Sequence, residues 1–150
     1  MILDERTEFC DATALNTGAA GTYNIGDIID SEVARNLGDG HQVYVVIQVT
    51  TAVTSGGAAT VTFQVVSDAT STIATSGQTI HAVTAAIGKA DLVAGYQIAI
   101  PLPPSVSKAY ERYIAVQQVT GTAALTAGAV NAFLTIDPPS DWVAQPDATN

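Results

Sequence analysis

Four stretches of the chain place an apolar side chain at every second residue, and that period leaves few folds open. In residues 42–50, Val43, Val45, Ile47 and Val49 share one face. In residues 60–67, Val61, Phe63 and Val65 stand opposite Thr60, Thr62 and Gln64. Ile98, Ile100 and Leu102 alternate with Gln97, Ala99 and Pro101 across 97–102. Val130, Ala132, Leu134 and Ile136 alternate with Asn131, Phe133 and Thr135 across 129–137. An extended strand points successive side chains to opposite faces, so each stretch reads as a strand with one face buried. Residues 22–29, 78–83 and 113–120 repeat the pattern less strictly. Thr and Val, whose branched side chains suit a pleated sheet, dominate the middle of the chain, where Leu, Glu and Lys are scarce. Turn residues separate the runs: Gly38-Asp39-Gly40, Ser55-Gly56-Gly57, Ser76-Gly77, Gly88 and Gly121. One short helix is predicted over 105–112, after Pro103-Pro104. Short strands without a long helix predict an all-β fold, a single-domain antiparallel β-sandwich of the jelly-roll type. The sandwich spans 15–137, between an N-terminal arm, 1–14, and a Pro-, Asp- and Ala-rich C-terminal tail, 138–150.

At 150 residues the chain is long enough to bury a core without disulfides or metal, and its single cysteine, Cys10, excludes an internal disulfide framework. The formal net charge is -9, from 14 acids against 5 Lys and Arg. That balance excludes binding to a nucleic-acid backbone and disfavours an anionic membrane surface. No apolar run is long enough for a transmembrane helix. The start, Met1-Ile2-Leu3-Asp4-Glu5, lacks the basic and apolar regions of a signal peptide, which predicts use without export. Eight of the acids fall in residues 1–40.

The groups that usually carry chemistry are few and poorly placed for it. The two histidines are His41, beside a turn, and His81, in a weak strand, and neither sits in a catalytic motif. Cys10 has only Arg6 as a nearby cation, so a buried, inert thiol is expected. Asp27, Asp30, Glu32 and Asp39 could in principle offer oxygen ligands to calcium, but they lack the spacing of a calcium loop, and a solvated acidic loop is expected instead. Gly18-Ala19-Ala20-Gly21 lacks the Lys and the helix of a phosphate loop. Trp142 reads as a packing anchor. The sequence therefore predicts no catalytic, cofactor-binding or metal-binding residues, no cofactor and no enzyme. Thr, Gln, Ser and Ala on the outward positions predict flat, weakly charged sheet faces suited to protein contacts.

Several short elements, in order, resemble the capsid cement (decoration) protein family of tailed bacteriophages, closest to its Bordetella phage type. They are Met1-Ile2-Leu3-Asp4, Glu8-Phe9-Cys10-Asp11-Ala12, Tyr23-Asn24-Ile25-Gly26-Asp27, Gly38-Asp39-Gly40 and Tyr44-Val45-Val46. Later come the apolar strand ending in Pro101-Leu102-Pro103, then Arg112-Tyr113-Ile114-Ala115-Val116, and Thr126-Ala127-Gly128-Ala129-Val130-Asn131-Ala132-Phe133-Leu134. The resemblance implies a jelly roll made in the bacterial host cytoplasm. It would sit on the exterior of the capsid shell and cement neighbouring major capsid subunits against genome pressure. It also implies a homo-oligomer, a dimer first and a trimer second. The alternative is a glycan- or receptor-binding module of a phage fibre, for which Trp142, Asp141, Tyr110 and Tyr113 form the candidate grouping.

The arm mixes apolar Ile2, Leu3 and Phe9 with four acids. These three side chains are the candidate inter-chain contacts, since a terminal segment orders only when it docks. The competing expectation is that the arm forms the first strand of its own sandwich and covers its own core.

Overall fold

The computed structural model describes residues 4–37, 40–104 and 108–139. A short 3-10 turn, Glu5–Thr7, opens on Asp4, whose side chain accepts a hydrogen bond from the Arg6 N–H. Nine strands follow: β1 (Glu8–Ala14), β2 (Gly21–Asp30), β3 (Tyr44–Thr54), β4 (Thr60–Asp68), β5 (Thr79–Val83), β6 (Ile87–Gly88), β7 (Gln97–Pro101), β8 (Tyr113–Gly121) and β9 (Ala127–Thr135). One sheet has the order β1-β9-β3-β7 and the other the order β2-β8-β4-β5, with β6 also on β4. Every pairing is antiparallel. The molecule is thus an all-β, single-domain sandwich, as the alternation predicts. Of the predicted helix, residues 108–112 carry none, and 105–107 lie outside the described residues.

The core fills the space between the sheets. Val45, Ile47 and Val49 of β3 and Val130 and Ala132 of β9 meet Val61, Phe63 and Val65 of β4 and Ile114 and Val116 of β8. These are the residues whose period-2 spacing marks them in the sequence. Leu92, Leu102, Tyr110 and Leu125 close the ends.

Three expectations need correction. First, residues 8–14 are not a separate arm. They are β1, an edge strand hydrogen-bonded to β9, and Phe9 and Cys10 lie in the core of their own chain. Phe9 therefore has no surface left for a second chain. Met1, Ile2 and Leu3 lie outside the described residues. Second, β9 ends at Thr135, so Ile136 does not continue the inward row but stands 68% exposed. Third, the outward positions are not open polar faces. Gln48, Gln64 and Gln117 are all buried.

The glutamines are buried because segments of the chain lie over the sheets. On the outer face of the β2-β8-β4-β5 sheet, Gln64, Gln117 and Asn24 stand side by side in register across three strands. Gln64 Nε2 donates to Gln117 Oε1 (2.7 Å), and Gln117 Nε2 donates to Asn24 Oδ1 (2.7 Å). The loop between β4 and β5 closes over them. Gln78 Nε2 donates to Gln117 Oε1, Gln117 Nε2 also donates to the Ala74 carbonyl, and Asn24 Nδ2 donates to the Ile73 carbonyl. Ile73 packs beneath that loop on Val66 and Ala115 as a second, smaller core. A buried amide is tolerated only when its donors and acceptors are matched, and here Gln117 uses both ends.

Candidate functional site

Three places bring together side chains capable of chemistry or recognition. The first is a serine–histidine contact that sequence spacing does not show. Ser67 is the penultimate residue of β4 and His81 lies on β5, and strand pairing brings Ser67 Oγ to 2.8 Å from His81 Nε2. Ser67 Oγ also accepts the Glu111 N–H at 3.0 Å, and the His81 ring stacks on Tyr110 with centroids 3.8 Å apart. Tyr110 in turn donates its hydroxyl to the Pro103 carbonyl at 2.6 Å. Burial, followed by the nearby Lys108 charge, pushes the His81 pKa down to about 4, so the ring is neutral at pH 7. A nucleophilic serine must face a substrate and its histidine must be oriented from the far nitrogen. Ser67 is 0% exposed, and His81 Nδ1 has no hydrogen-bond partner among the described residues. The pair ties β4 and β5 to the 110–111 segment and offers no face for a reaction.

The second place is the acidic end of the sandwich. Glu5, Arg6, Glu8, Asp27, Asp30 and Glu32 line an open cleft of about 380 Å³. Desolvation, then the neighbouring charges of Asp11 and Glu5, raises the Glu8 pKa. Asp30 is engaged by Arg112, which donates from both Nε and Nη2 at 2.7 Å. The hydrogen bond from Arg112 lowers the Asp30 pKa. Of the four acids considered for calcium, Asp30 is committed to this ion pair and Asp39 lies outside the described residues. Among the described residues no three metal-ligating side chains gather at one point. Cys10, below this end, is buried with its thiol pushed up to about 12, chiefly by desolvation.

The third place is an apolar groove of about 410 Å³ between the opening turn and the end of β9. It is lined by Asp4, Thr7, Val43, Leu134, Thr135 and Ile136. The outward turn of Ile136 after β9 creates it, and the candidate contacts Ile2 and Leu3 directly precede Asp4 on its wall. The alternating pattern hides this groove, because it extends the buried row one residue too far. His41 is exposed. Of the aromatic grouping considered for glycans, Tyr110 is buried, Tyr113 lies under the Arg112 guanidinium at 4.9 Å, and Asp141 and Trp142 lie outside the described residues.

Compared with known proteins, the chain matches the family model Bbp16 over residues 9–134. That span runs from the second residue of β1 to the penultimate residue of β9, and so takes in both sheets. No curated protein matches the chain.

Proposed function

The chain belongs to the Bbp16 family, a phage protein family, and from that premise we propose that it is a structural virion protein on the exterior of the capsid. In this reading it binds the assembled shell, bridges neighbouring major capsid subunits and resists their separation under genome pressure. A protein that binds only the assembled lattice stabilises that lattice by mass action. The observation that carries the reading is the family match across the whole sandwich.

The topology supports the finer fold assignment that goes with it. The first strand pairs with the last, β1 with β9. Further in, β2 pairs with β8, β3 with β7 and β4 with β5. That nesting is what results when one long hairpin is wrapped into two sheets, and we read the sandwich as a jelly roll.

The chemistry of the surface fits a binding role. The serine–histidine contact is closed and Cys10 is buried, so we propose no enzymatic activity and no cofactor. The apolar groove at Val43, Leu134 and Ile136 is the surface proposed to meet a second chain, together with Ile2 and Leu3. The acidic end would steer it towards basic groups on the shell, setting the rate of encounter more than the affinity. Assembly is proposed as a homodimer, with a trimer second. A glycan-binding role has less support, because Tyr110 and Tyr113 are already occupied within the chain.

Co-sedimentation of the purified chain with shells that lack it tests the proposal. Saturable binding to expanded shells is expected, weakened severalfold by Ile136→Asp with no loss of thermal stability. Failure to bind shells, together with binding to a glycan array, would replace the capsid role with the fibre-module role.

A further inference from the structure

The two sides of the sandwich are unlike. On one side the edge strands β1 and β2 lie against each other, and they carry Glu8, Asp11, Asp27 and Asp30. On the other side the edge strands are β5 and β7, and among the described residues neither pairs with a further strand. The stretch 84–96 crosses that side from sheet to sheet. The Lys89 N–H donates to the Ala59 carbonyl just before β4, and the Gly95 N–H donates to the Val49 carbonyl of β3. Ile87, Tyr96 and Ile98 pack on the core there but stay partly open to water. Larger exposure surrounds them: Val83 is 59% exposed, Val93 53% and Ile80 38%. On a regular strand Ile80 and Val83, three residues apart, would face opposite ways. The register shift in β5 adds a residue between them, which sets Ile80 opposite Val66 and Val83 opposite Gln64 on the same outer face.

We infer that this side, residues 79–96, is where a second copy of the chain packs, with Ile80, Val83 and Val93 at the contact. The inference rests on the homodimer proposed above and adds the surface that makes it, which leaves the groove at Ile136 for the shell. Charge selects the occupant. Each copy carries a net charge of -9, yet residues 69–104 hold only Lys89 and Asp91, which cancel. A two-fold axis sets one patch against its own image, so the patch must not repel itself. The β1–β2 side fails that condition and the β5–β7 side meets it. With the β5 sides together, each β2 stands three strands back from the contact, at about 4.8 Å each. The acidic strands of the two copies are then roughly 30 Å apart, against a screening length of about 8 Å in physiological salt. Size agrees as well. The stretch holds 18 residues, nearly the roughly 20–30 that each partner brings to a standard interface. A short, bulged edge does not suit a long added ladder, so side chains carry the contact.

Sedimentation of the full chain over a range of concentrations tests this. The parent is expected to sediment as a dimer at micromolar concentration. Val83→Asp and Val93→Asp should each weaken dimerisation at least tenfold, with the sheet circular dichroism of the parent. Val33→Asp is the control, because Val33 is as exposed but lies outside this side; it should dimerise like the parent. Raising the salt should leave the dimer intact or tighten it, since the contact is apolar and only the distant acids repel. A parent that stays monomeric at about 100 μM would overturn the inference, and so would Val83→Asp and Val93→Asp dimers as tight as the parent's. Equal weakening by Val33→Asp, or a dimer that dissociates as salt rises, would also overturn it. Shell binding is read separately. A parent that dimerises through this side but binds no shell refutes the capsid role alone, whereas a monomeric parent whose shell binding is lost with Val83→Asp gives this side to the shell and refutes the self-contact.

Discussion

Replacing Gly26 with alanine should loosen the whole sandwich, because at this residue β2 runs against the backbone of β1. Gly26 has φ +63°, in the left-handed region, inside the register shift between Ile25 and Ile29. An L-residue there costs about 1–2 kcal/mol. A Cβ at this position would lie 2.1 Å from the Phe9 carbonyl oxygen and 2.5 Å from Cys10 Cβ. Neither obstacle is a flexible side-chain end, so β1 must move away from β2 and take the buried Phe9 with it. Overpacking of this kind costs about 1–3 kcal/mol. Together the two effects amount to about 2–5 kcal/mol, a large part of the total stability of an ordinary domain. At about 2–4 °C per kcal/mol for a chain of this length, the melting temperature should fall by about 4–20 °C. The assay is thermal unfolding followed by circular dichroism. Gly77→Ala is the control, since Gly77 also has positive φ but nothing within 4 Å of a Cβ. It should show the conformational cost alone. If Gly26→Ala melts within about 2 °C of Gly77→Ala, β1 is not packed on β2 as described.

Three further outcomes follow from single residues. Gln117→Leu leaves Gln64, Gln78 and Asn24 without their partner, and at about 0.5–1.5 kcal/mol for each of its four side-chain hydrogen bonds it should lower stability by roughly 2–6 kcal/mol in urea titration; a loss below about 1 kcal/mol would show that the ladder contributes little. His81 has its folded pKa depressed to about 4 from 6.5, so below pH 6.5 the unfolded chain takes up a proton that the folded chain refuses. Its contribution is present above pH 6.5 and is lost as pH falls towards 4, and the difference in melting temperature between the parent and His81→Gln should depend on pH in that window and be flat above it. Cys10 should resist thiol reagents at pH 8 in the folded protein and react fully in denaturant; stoichiometric labelling of the native state would contradict its burial.

Strands β3, β4, β7 and β9 are legible in the sequence because each buries one face against the other sheet and leaves a row of alternating Val, Ile and Leu. β1 is not legible for a physical reason. Its pairing with β9 shifts register between Glu8 and Cys10 and again between Cys10 and Thr13. Adjacent residues Phe9 and Cys10 are therefore both buried, and the alternation disappears. The glutamines mislead for a different reason. Alternation places Gln64 and Gln48 correctly on outer faces, but a polar residue on an outer face carries no mark of the loop that will cover it. Contacts between residues distant in sequence, such as Gln78 with Gln117, decide that. The same holds for the groove at Ile136, which depends on where β9 stops, and for Ser67 and His81, which strand pairing alone brings together. Cys10 is the exception among the candidate groups. Its burial follows from the apolar company of Phe9 and the lack of a cation to activate it.

Electron cryomicroscopy of intact particles, with and without this chain, tests the proposed role most directly. The account predicts a β-sandwich density on the outer surface of the shell, bridging adjacent capsid subunits. That density should be absent from particles made without the chain, and those particles should lose their genome more readily on heating. A bare shell in complete particles, or the sandwich density found on the tail or its fibres, would contradict it.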